Sequence, residues 1–231
     1  VGADVVGLFC VPEPELEAAA QSESVEEEKV VDSIKGAISH KNLVFGVIAI
    51  FLYVGIEVGI PNMANLYMTS PDGLGMAAGV AGTLVGAYWF LMLCGRLVGG
   101  AVGGKVSSRA MMTFVSSLAI VFVLLGMFLP DTLTMSLLEA QVPVGMVCFV
   151  LCGLCTSIMW GAIFNLAVEG LGKYTSIASG LFMVMVCGGG LLPLLQGYVA
   201  DLAGYIPSYW VIIAALAYTL WFALSGSKAN K

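Results

Sequence analysis

A single carboxylate stands in the middle of a long apolar stretch of this chain. Glu57 lies in the run from Leu43 to Met68, about 20 Å along a helix from the start of that run. A carboxylate at that depth in a membrane costs about 3 kcal/mol on insertion scales, so such residues are functional candidates. Glu57 could accept hydrogen bonds from a solute, or it could be protonated and bonded to a neighbouring helix as part of the packing.

Further polar and helix-bending residues share the segment of Glu57. Tyr53, Glu57, Pro61 and Asn65 follow one another at intervals of four residues, which puts them on one helical face. Asn62 adds a second amide beside that face. Pro61 removes the hydrogen bond to the Glu57 carbonyl, so we expect a bend there. A bent helix at membrane depth lines a watery cavity or packs in protein, and the first case predicts a polar face towards a solute path.

A second apolar segment carries small and aromatic residues at helical spacing. Ser157, Gly161 and Asn165 form a small and polar face, and Trp160 lies on the face beside it. Indole rings combine a large apolar surface with a polar N–H group and stack on the C–H faces of sugars. This pattern favours substrate contacts for Trp160 and Asn165, with ordinary helix packing as the alternative.

A third segment has a glycine-rich run that would allow bending. Gly188, Gly189 and Gly190 are followed by Pro193, and such runs permit kinks and close helix contact. We expect these four residues to act in gating. Gln196 lies one turn further on, near the outer end of the same predicted span, and is a candidate substrate contact.

The elements that must position these residues are membrane-spanning helices. The chain is 59% hydrophobic and 10% charged, with a mean hydropathy of +0.98, and its apolar runs reach the length of a bilayer crossing. The fold class is therefore all-α membrane protein. Residues 1–10 are interpreted as the end of a preceding transmembrane helix, 11–41 as an acidic cytoplasmic linker, and 227–231 as a cytoplasmic tail. We predict six spans within 42–226, at about 43–68, 77–101, 110–129, 142–168, 176–200 and 208–226.

The basic residues predict the orientation of these spans. All nine Lys and Arg residues fall on one side of the predicted bundle, with Arg96, Lys105 and Arg109 flanking the second connection. By the positive-inside rule both ends of 42–226 are cytoplasmic, and the protein lies in the inner membrane. We expect no Lys or Arg at mid-span, which argues against an organic anion as substrate. Nor does any basic stripe indicate a nucleic-acid partner.

Enzymatic and metal chemistry find no support in the sequence. The one histidine makes a conventional hydrolytic site unexpected, and no Ser/His/Asp set or phosphate-binding loop occurs. Cys152 and Cys155 form a CxxC pair without a second pair or a nearby His. We therefore expect neither an enzyme nor a cofactor.

Several stretches resemble known transporter motifs. The stretch from Gly95 to Arg109 is similar to the cytoplasmic loop motif after the eighth helix of major facilitator transporters, which gives Arg96 a gating role, although the usual acidic residue is missing. Tyr53-Val54-Gly55-Ile56-Glu57 resembles the seventh-helix signature of the fucose and glucose/galactose permease family. The stretches around Trp160 and from Gly188 to Pro193 resemble that family's tenth and eleventh helices.

The resemblance implies an architecture and an activity. The chain would be the C-terminal half of a major facilitator fold, two inverted three-helix repeats, joined to an N-terminal half that it does not contain. It would carry a hexose by alternating access in symport with a cation, a proton by the family's pattern, with the coupling carboxylates mainly in the absent half. The glucose/galactose branch tends to carry Glu, and the fucose branch Gln, where Glu57 stands.

The resemblance also assigns site residues. Glu57, Asn62, Asn65 and Asn165 would hydrogen-bond the sugar hydroxyls, and Trp160 would stack on the ring. The alternatives are a major facilitator transporter of another small solute, such as a drug or an organic acid, and a non-transporting membrane scaffold.

Overall fold

The computed structural model describes residues 32–137 and 140–228. Residues 1–10, most of the predicted linker and 229–231 lie outside the described residues. A helical segment at 32–38 leads into seven helices and one hairpin: α1 Lys41–Thr69, α2 Ala78–Val102, α3 Ser108–Phe128, β1 Thr134–Leu137, β2 Ala140–Pro143, α4 Val144–Val168, α5 Thr175–Met185, α6 Gly188–Ala203 and α7 Tyr209–Leu224. Short 3-10 turns at Gly172–Tyr174 and Gly226–Lys228 complete the described elements.

Six segments of the described residues are long and apolar enough to cross a membrane. Four are single helices, α1 to α4; the fifth runs over Gly172–Ala203 and contains α5 and α6, and the sixth runs over Tyr209–Lys228. The predicted six-helix membrane bundle is therefore confirmed. The first three crossings begin with α1, and the last three begin with α4. These two helices supply much of the buried core.

The fifth crossing is interrupted at the start of the glycine-rich run. α5 ends at Met185 and α6 begins at Gly188. Between them, the Cys187 N–H donates to the Val184 carbonyl at 3.3 Å, a tighter 3-10 pattern than that of an α-helix. The Gly188 backbone lies so close to the Phe51 carbonyl oxygen of α1 that a Cβ would collide with it.

A short antiparallel hairpin, β1–β2, precedes α4. Thr134 pairs with Pro143, and Leu137 pairs with Ala140. The predicted fourth span included residues 142 and 143, but both belong to β2 because they pair with β1, and α4 begins only at Val144.

The helices around α1 and α4 hold the candidate site between them. α1 packs against α2, α4, α6 and α7, while α4 packs against α1, α2 and α3. Phe149 of α4 stacks on Tyr209 of α7 with ring centroids 4.1 Å apart and planes 10° from parallel. Such contacts between buried rings add to the apolar packing, so α4 is held against α7, which also packs against α1.

Candidate functional site

An ion pair joins α1 to α2 at the level of the predicted carboxylate. Arg96 Nη2 lies 3.0 Å from Glu57 Oε1, and the side chains are 52% and 12% exposed, respectively. The expectation that no basic side chain reaches mid-span is therefore wrong. Arg96 lies inside α2, and long side chains on a helix extend towards its N-terminus, which carries the guanidinium away from the end of α2 and to Glu57.

The ion pair lines a cavity of about 480 Å³. α1, α2 and α4 supply the walls, and Val186, from the break between α5 and α6, closes one side. Trp160 faces the same cavity, and its ring meets that of Tyr53 edge-on, with centroids 6.1 Å apart. The structure thus brings Glu57, Arg96 and Trp160 together. The full lining is Val54, Glu57, Arg96, Ser157, Trp160, Gly161 and Val186.

The backbone beneath Glu57 is stabilised from a neighbouring helix. Pro61 has no N–H, so the Glu57 carbonyl loses its usual donor within α1. Tyr88 Oη of α2 donates to that carbonyl at 3.0 Å, and it lies 3.1 Å from Thr156 Oγ1 of α4. α1 runs as one helix through the proline, because the orphaned carbonyl is satisfied by a side chain.

One edge of α4 lines three cavities in series. Arg96, Ser157 and Gly161 border both the first cavity and a second one of about 310 Å³. Asn165 borders the second cavity and a third one of about 540 Å³. Asn165 Nδ2 donates to Ser108 Oγ, at the start of α3, over 3.3 Å. The small and polar face expected from the sequence is thus a continuous lining.

The third cavity has several hydroxyl and charged residues in its lining and lies at the basic end of the bundle. Besides Asn165, its lining includes the hydroxyl side chains Ser107 and Ser108 and the charged side chains Arg109 and Glu169. Neutral hydroxyls and opposite charges there provide both hydrogen-bond donors and acceptors. The chemistry of this lining suits a polar, uncharged solute or water.

Three predicted substrate contacts lie away from the three cavities. Asn62 is exposed and Asn65 is half-buried, and neither borders any of the three. Gln196 is fully buried, and a Cβ on Gly59 would lie 2.6 Å from its Oε1. Both side-chain polar atoms of Gln196 lack a hydrogen-bond partner among the described residues, so the amide packs between α6 and α1.

The predicted gating residues fall into two groups. Pro61 is buried in α1, and Gly188 and Gly189 face α1, where a Cβ on Gly189 would lie 2.9 Å from Val54 Cγ1. Gly190 faces open space among the described atoms, and Pro193 is half-buried within α6. The first group therefore sets the spacing between α1 and its neighbours.

Sequence reasoning missed Tyr88 and the ion-pair role of Arg96. The sequence predicts Arg96 as a loop flank and a gating residue, although its place inside an apolar run was a signal that its side chain turns inward. Tyr88 carried no such signal, because its partner is a backbone carbonyl in another helix.

The bundle and its cavities define the class of the protein. Six crossings arranged as two groups of three match one half of a transporter fold built from three-helix repeats. Residues 2–192 match the family model described as Major Facilitator Superfamily. The chain belongs to that superfamily.

Curated relatives and a solved structure resemble this chain. It is 30% identical over 193 residues to a glucose/galactose transporter of Brucella abortus biovar 1 (strain 9-941), covering 84% of this chain and 44% of the relative. It is 31% identical over 202 residues to a putative glucose/galactose transporter of Helicobacter pylori (strain J99 / ATCC 700824), covering 85% and 46%. The chain thus spans less than half the length of either relative.

The structural match concerns the fold. A crystal structure of the Major Facilitator Superfamily transporter FucP, in the outward conformation, superposes with a TM-score of 0.70 at 24% identity. The match covers 82% of this chain and 44% of FucP. The six-helix bundle described above is accordingly one half of that transporter fold.

Proposed function

We propose that this chain is the C-terminal half of a secondary active hexose transporter that works by alternating access. Its partner would be a second six-helix half, which closes the cavities of α1, α2 and α4 from the other side. Membership of the superfamily and six membrane crossings support this assignment. The extents of 42–226 as transporter half, 11–41 as linker and 227–231 as tail are part of the same proposal.

The observation that carries the proposal is the ion pair beside Trp160. Glu57 and Arg96 compensate each other's charge at 3.0 Å, so this cavity suits a neutral solute better than an organic anion or a cationic drug. A carboxylate accepts hydrogen bonds and a guanidinium donates them, which matches the alternating requirements of sugar hydroxyls. The indole of Trp160 supplies a flat apolar surface for the C–H face of the ring.

The other predicted contacts are assigned by their position. Asn165 would bind hydroxyls further along the α4 edge, in the second and third cavities. Asn62 and Asn65 would meet the sugar nearer the other end of α1. Gln196 contributes only in a state in which α6 moves away from α1, because its amide is buried there.

The substrate is assigned as glucose or galactose rather than fucose. Two relatives at 30% and 31% identity are described as a glucose/galactose transporter and a putative one. Glu57 stands where the glucose/galactose branch tends to carry a glutamate, in the family resemblance described above. The carboxylate accepts stronger hydrogen bonds than an amide, which suits a sugar that presents a full set of hydroxyls.

Coupling and orientation follow the family's pattern. We assign a proton as the coupling cation, carried mainly by carboxylates of the second half, and place both ends of 42–226 on the cytoplasmic side of the inner membrane. The distribution of basic residues over the loops supports this orientation. Glu57, held by Arg96, acts as a sugar ligand rather than as the principal proton carrier.

Gating is assigned to the elements that border the first cavity. Val186 lies both at the break between α5 and α6 and in the cavity wall. A change in the angle between α5 and α6 would therefore reshape the site. Gly188, Gly189, Gly190 and Pro193 permit that change, Pro61 and its partner Tyr88 set the position of α1, and Arg96 links α2 to the same movement.

The test is hexose uptake by the complete transporter in proteoliposomes, with Glu57→Gln compared with the parent. Hydrogen bonds to charged groups contribute about 1.5–3 kcal/mol, so we expect glucose and galactose uptake to fall about tenfold or more. Asp201→Asn, which changes an exposed carboxylate on α6, is the matched control and should transport normally. Undiminished uptake in Glu57→Gln would reject the site, and absence of sugar binding by the parent would favour the scaffold alternative.

The same preparation tests the substrate and the cation. Glucose, galactose, fucose, an organic acid and a cationic drug should be offered in competition, with a pH gradient imposed or collapsed. We expect glucose and galactose to compete best and uptake to follow the pH gradient. A dominant organic acid or drug would instead identify another small-solute transporter on the same fold.

A further inference from the structure

We propose that a groove between α2 and α3 binds one acyl chain of an anionic glycerophospholipid, whose headgroup lies at the loop 103–107. This site is separate from the ion-pair cavity and does not depend on the identity of the transported solute. The ligand would belong to the membrane leaflet on the side of the basic loops.

The groove is almost wholly apolar and has a volume of about 620 Å³. α2 and α3 form its two sides, and α4 forms its floor through Leu154, Cys155 and Ile158. It exists because α2 and α3 each pack on α4 rather than on each other. Gly95 and Gly99 bring α2 against Ser157 and Ile158 of α4, which leaves the space towards α3 unfilled by protein. The lining from α2, α3 and their loop is Cys94, Gly95, Val98, Gly99, Val102, Val106, Ala110, Met111, Phe114, Val115 and Leu118.

The length of the groove matches one leaflet of a bilayer. Its α3 side runs from Ala110 to Leu118, which is about 12 Å at 1.5 Å per residue. Half of the hydrocarbon core of a bilayer is about 15 Å thick. The groove therefore fits a chain that enters from one membrane surface and ends near the bilayer centre.

The surface end of the groove is positively charged. Val106 and Ala110 line that end, and Lys105 and Arg109 are their chain neighbours; Lys105 is exposed. The stretch 103–110 contains no acidic residue. The N-terminus of α3 lies here too, capped by Ser107, whose Oγ accepts from the Ala110 N–H at 3.3 Å.

These charges select the headgroup. A helix N-terminus and nearby cations favour a phosphate group, and basic pockets beside transmembrane helices bind anionic headgroups. Arg109 donates to Ser227 of the final turn, so Lys105 is the cation that we assign to the headgroup. A lipid with a net negative charge is therefore preferred to a zwitterionic one with the same chains.

The chain offers a matched pair of variants for the groove. Val98 lines it and is 60% exposed, whereas Leu97, the next residue along, lies outside the lining and is 70% exposed. The complete transporter would be purified in mild detergent with phosphatidylglycerol, and retained lipid counted by native mass spectrometry. We expect Val98→Trp to lower the retained phosphatidylglycerol about fivefold or more, and Leu97→Trp to leave it unchanged.

A second pair tests the headgroup. Lys105→Gln should reduce the preference for phosphatidylglycerol over phosphatidylcholine about fivefold, while Lys173→Gln, on another loop, should not. Equal retention in Val98→Trp and Leu97→Trp, or equal retention of the two lipids by the parent, would overturn the proposal. So would crosslinking of Cys94 in the groove to another polypeptide segment, because protein would then occupy the space. Equal melting temperatures of the two tryptophan variants show that both are folded.

Discussion

The two central helices, α1 and α4, satisfy their polar groups in opposite ways. α1 depends on other helices: Glu57 pairs with Arg96 of α2, and the Ile60 carbonyl accepts from Tyr209 Oη of α7 at 2.9 Å. Near its start, the Phe45 carbonyl also accepts from a tyrosine of α7, at 3.2 Å.

The hydroxyl groups of α4 bond mainly to its own backbone. Thr156 Oγ1 donates to the Cys152 carbonyl at 3.2 Å, and Ser157 Oγ donates to the Leu154 carbonyl at 2.5 Å. This leaves its Ser157–Asn165 edge available to the three cavities. α1 is thus held by its neighbours, and the Ser157–Asn165 edge of α4 is the surface that we propose faces the solute. Apart from Glu57, the proposed sugar ligand, changes to the contacts of α1 should therefore alter mainly stability, and changes on the α4 edge should alter transport.

The largest effect on stability is expected for Arg96→Gln. This change leaves the Glu57 carboxylate, which is 12% exposed, without a cation in the membrane interior. Breaking a buried pair by removing one partner costs about 3–5 kcal/mol, and we expect the lower end because Arg96 itself is half exposed. Thermal unfolding of the purified transporter in detergent measures the effect.

The control for this prediction is a double variant. Glu57→Gln combined with Arg96→Gln removes both charges, so it should melt at a higher temperature than Arg96→Gln alone. If the double variant were no more stable than the single one, the unpaired carboxylate would not be the cause, and α1 would not be held by its ion pair.

A somewhat smaller effect is expected for Gly188→Ala. The added methyl group would collide with the Phe51 carbonyl oxygen, and overpacking of this kind costs about 1–3 kcal/mol. Gly190→Ala, in the same run, is the matched control, because no described atom beyond its chain neighbours and its own helix backbone lies within 4 Å of its Cβ position. Equal melting temperatures of the two variants would contradict the tight contact between α1 and α6.

Tyr88→Phe should destabilise by about 1 kcal/mol, the usual contribution of one hydrogen bond. The lost bond is the one to the Glu57 carbonyl, which Pro61 cannot supply. In a Pro61→Ala background the alanine N–H would supply it, so the same Tyr88→Phe change should then have a smaller effect. An equal effect in both backgrounds would show that the Tyr88 hydroxyl does not replace the donor missing at the proline.

The sequence predicted what depends on local geometry. Six spans followed from the lengths of the apolar runs, and the bundle is confirmed. The edge formed by Ser157, Gly161 and Asn165 followed from the helical repeat alone, because residues four apart in one helix keep a fixed relation. The structure places these three residues along successive cavities.

What depends on contacts between helices could not be predicted. The pairing of Arg96 with Glu57 joins residues of two helices, and its geometry is set by how closely α2 approaches α1. The glycine-rich run indicated a flexible point in the fifth crossing. The position of the break between α5 and α6, just before Gly188, depends on the contact of Gly188 with α1. Gln196 turns towards Gly59 because α6 packs on α1, which no periodicity reveals.

The smallest change in stability is expected at the junction of the first two cavities, for Gly161→Leu. Gly161 borders both cavities, and no described atom beyond its chain neighbours and its own helix backbone lies within 4 Å of its Cβ position. A leucine side chain would therefore extend into these cavities, and exposed substitutions of this kind usually stay within about 0.5 kcal/mol.

Transport should respond to this variant far more than stability does. Hexose uptake should fall about tenfold or more, because the side chain occupies the space that the sugar needs beside Trp160. Gly180→Leu in α5, which also points to open space and lies outside the three cavities, should transport normally. Unchanged uptake in Gly161→Leu would mean that the α4 edge does not lie on the solute path. The contrast between α1 and α4 would then concern helix packing alone, because a leucine that fills the α4 edge without lowering uptake excludes no solute from it.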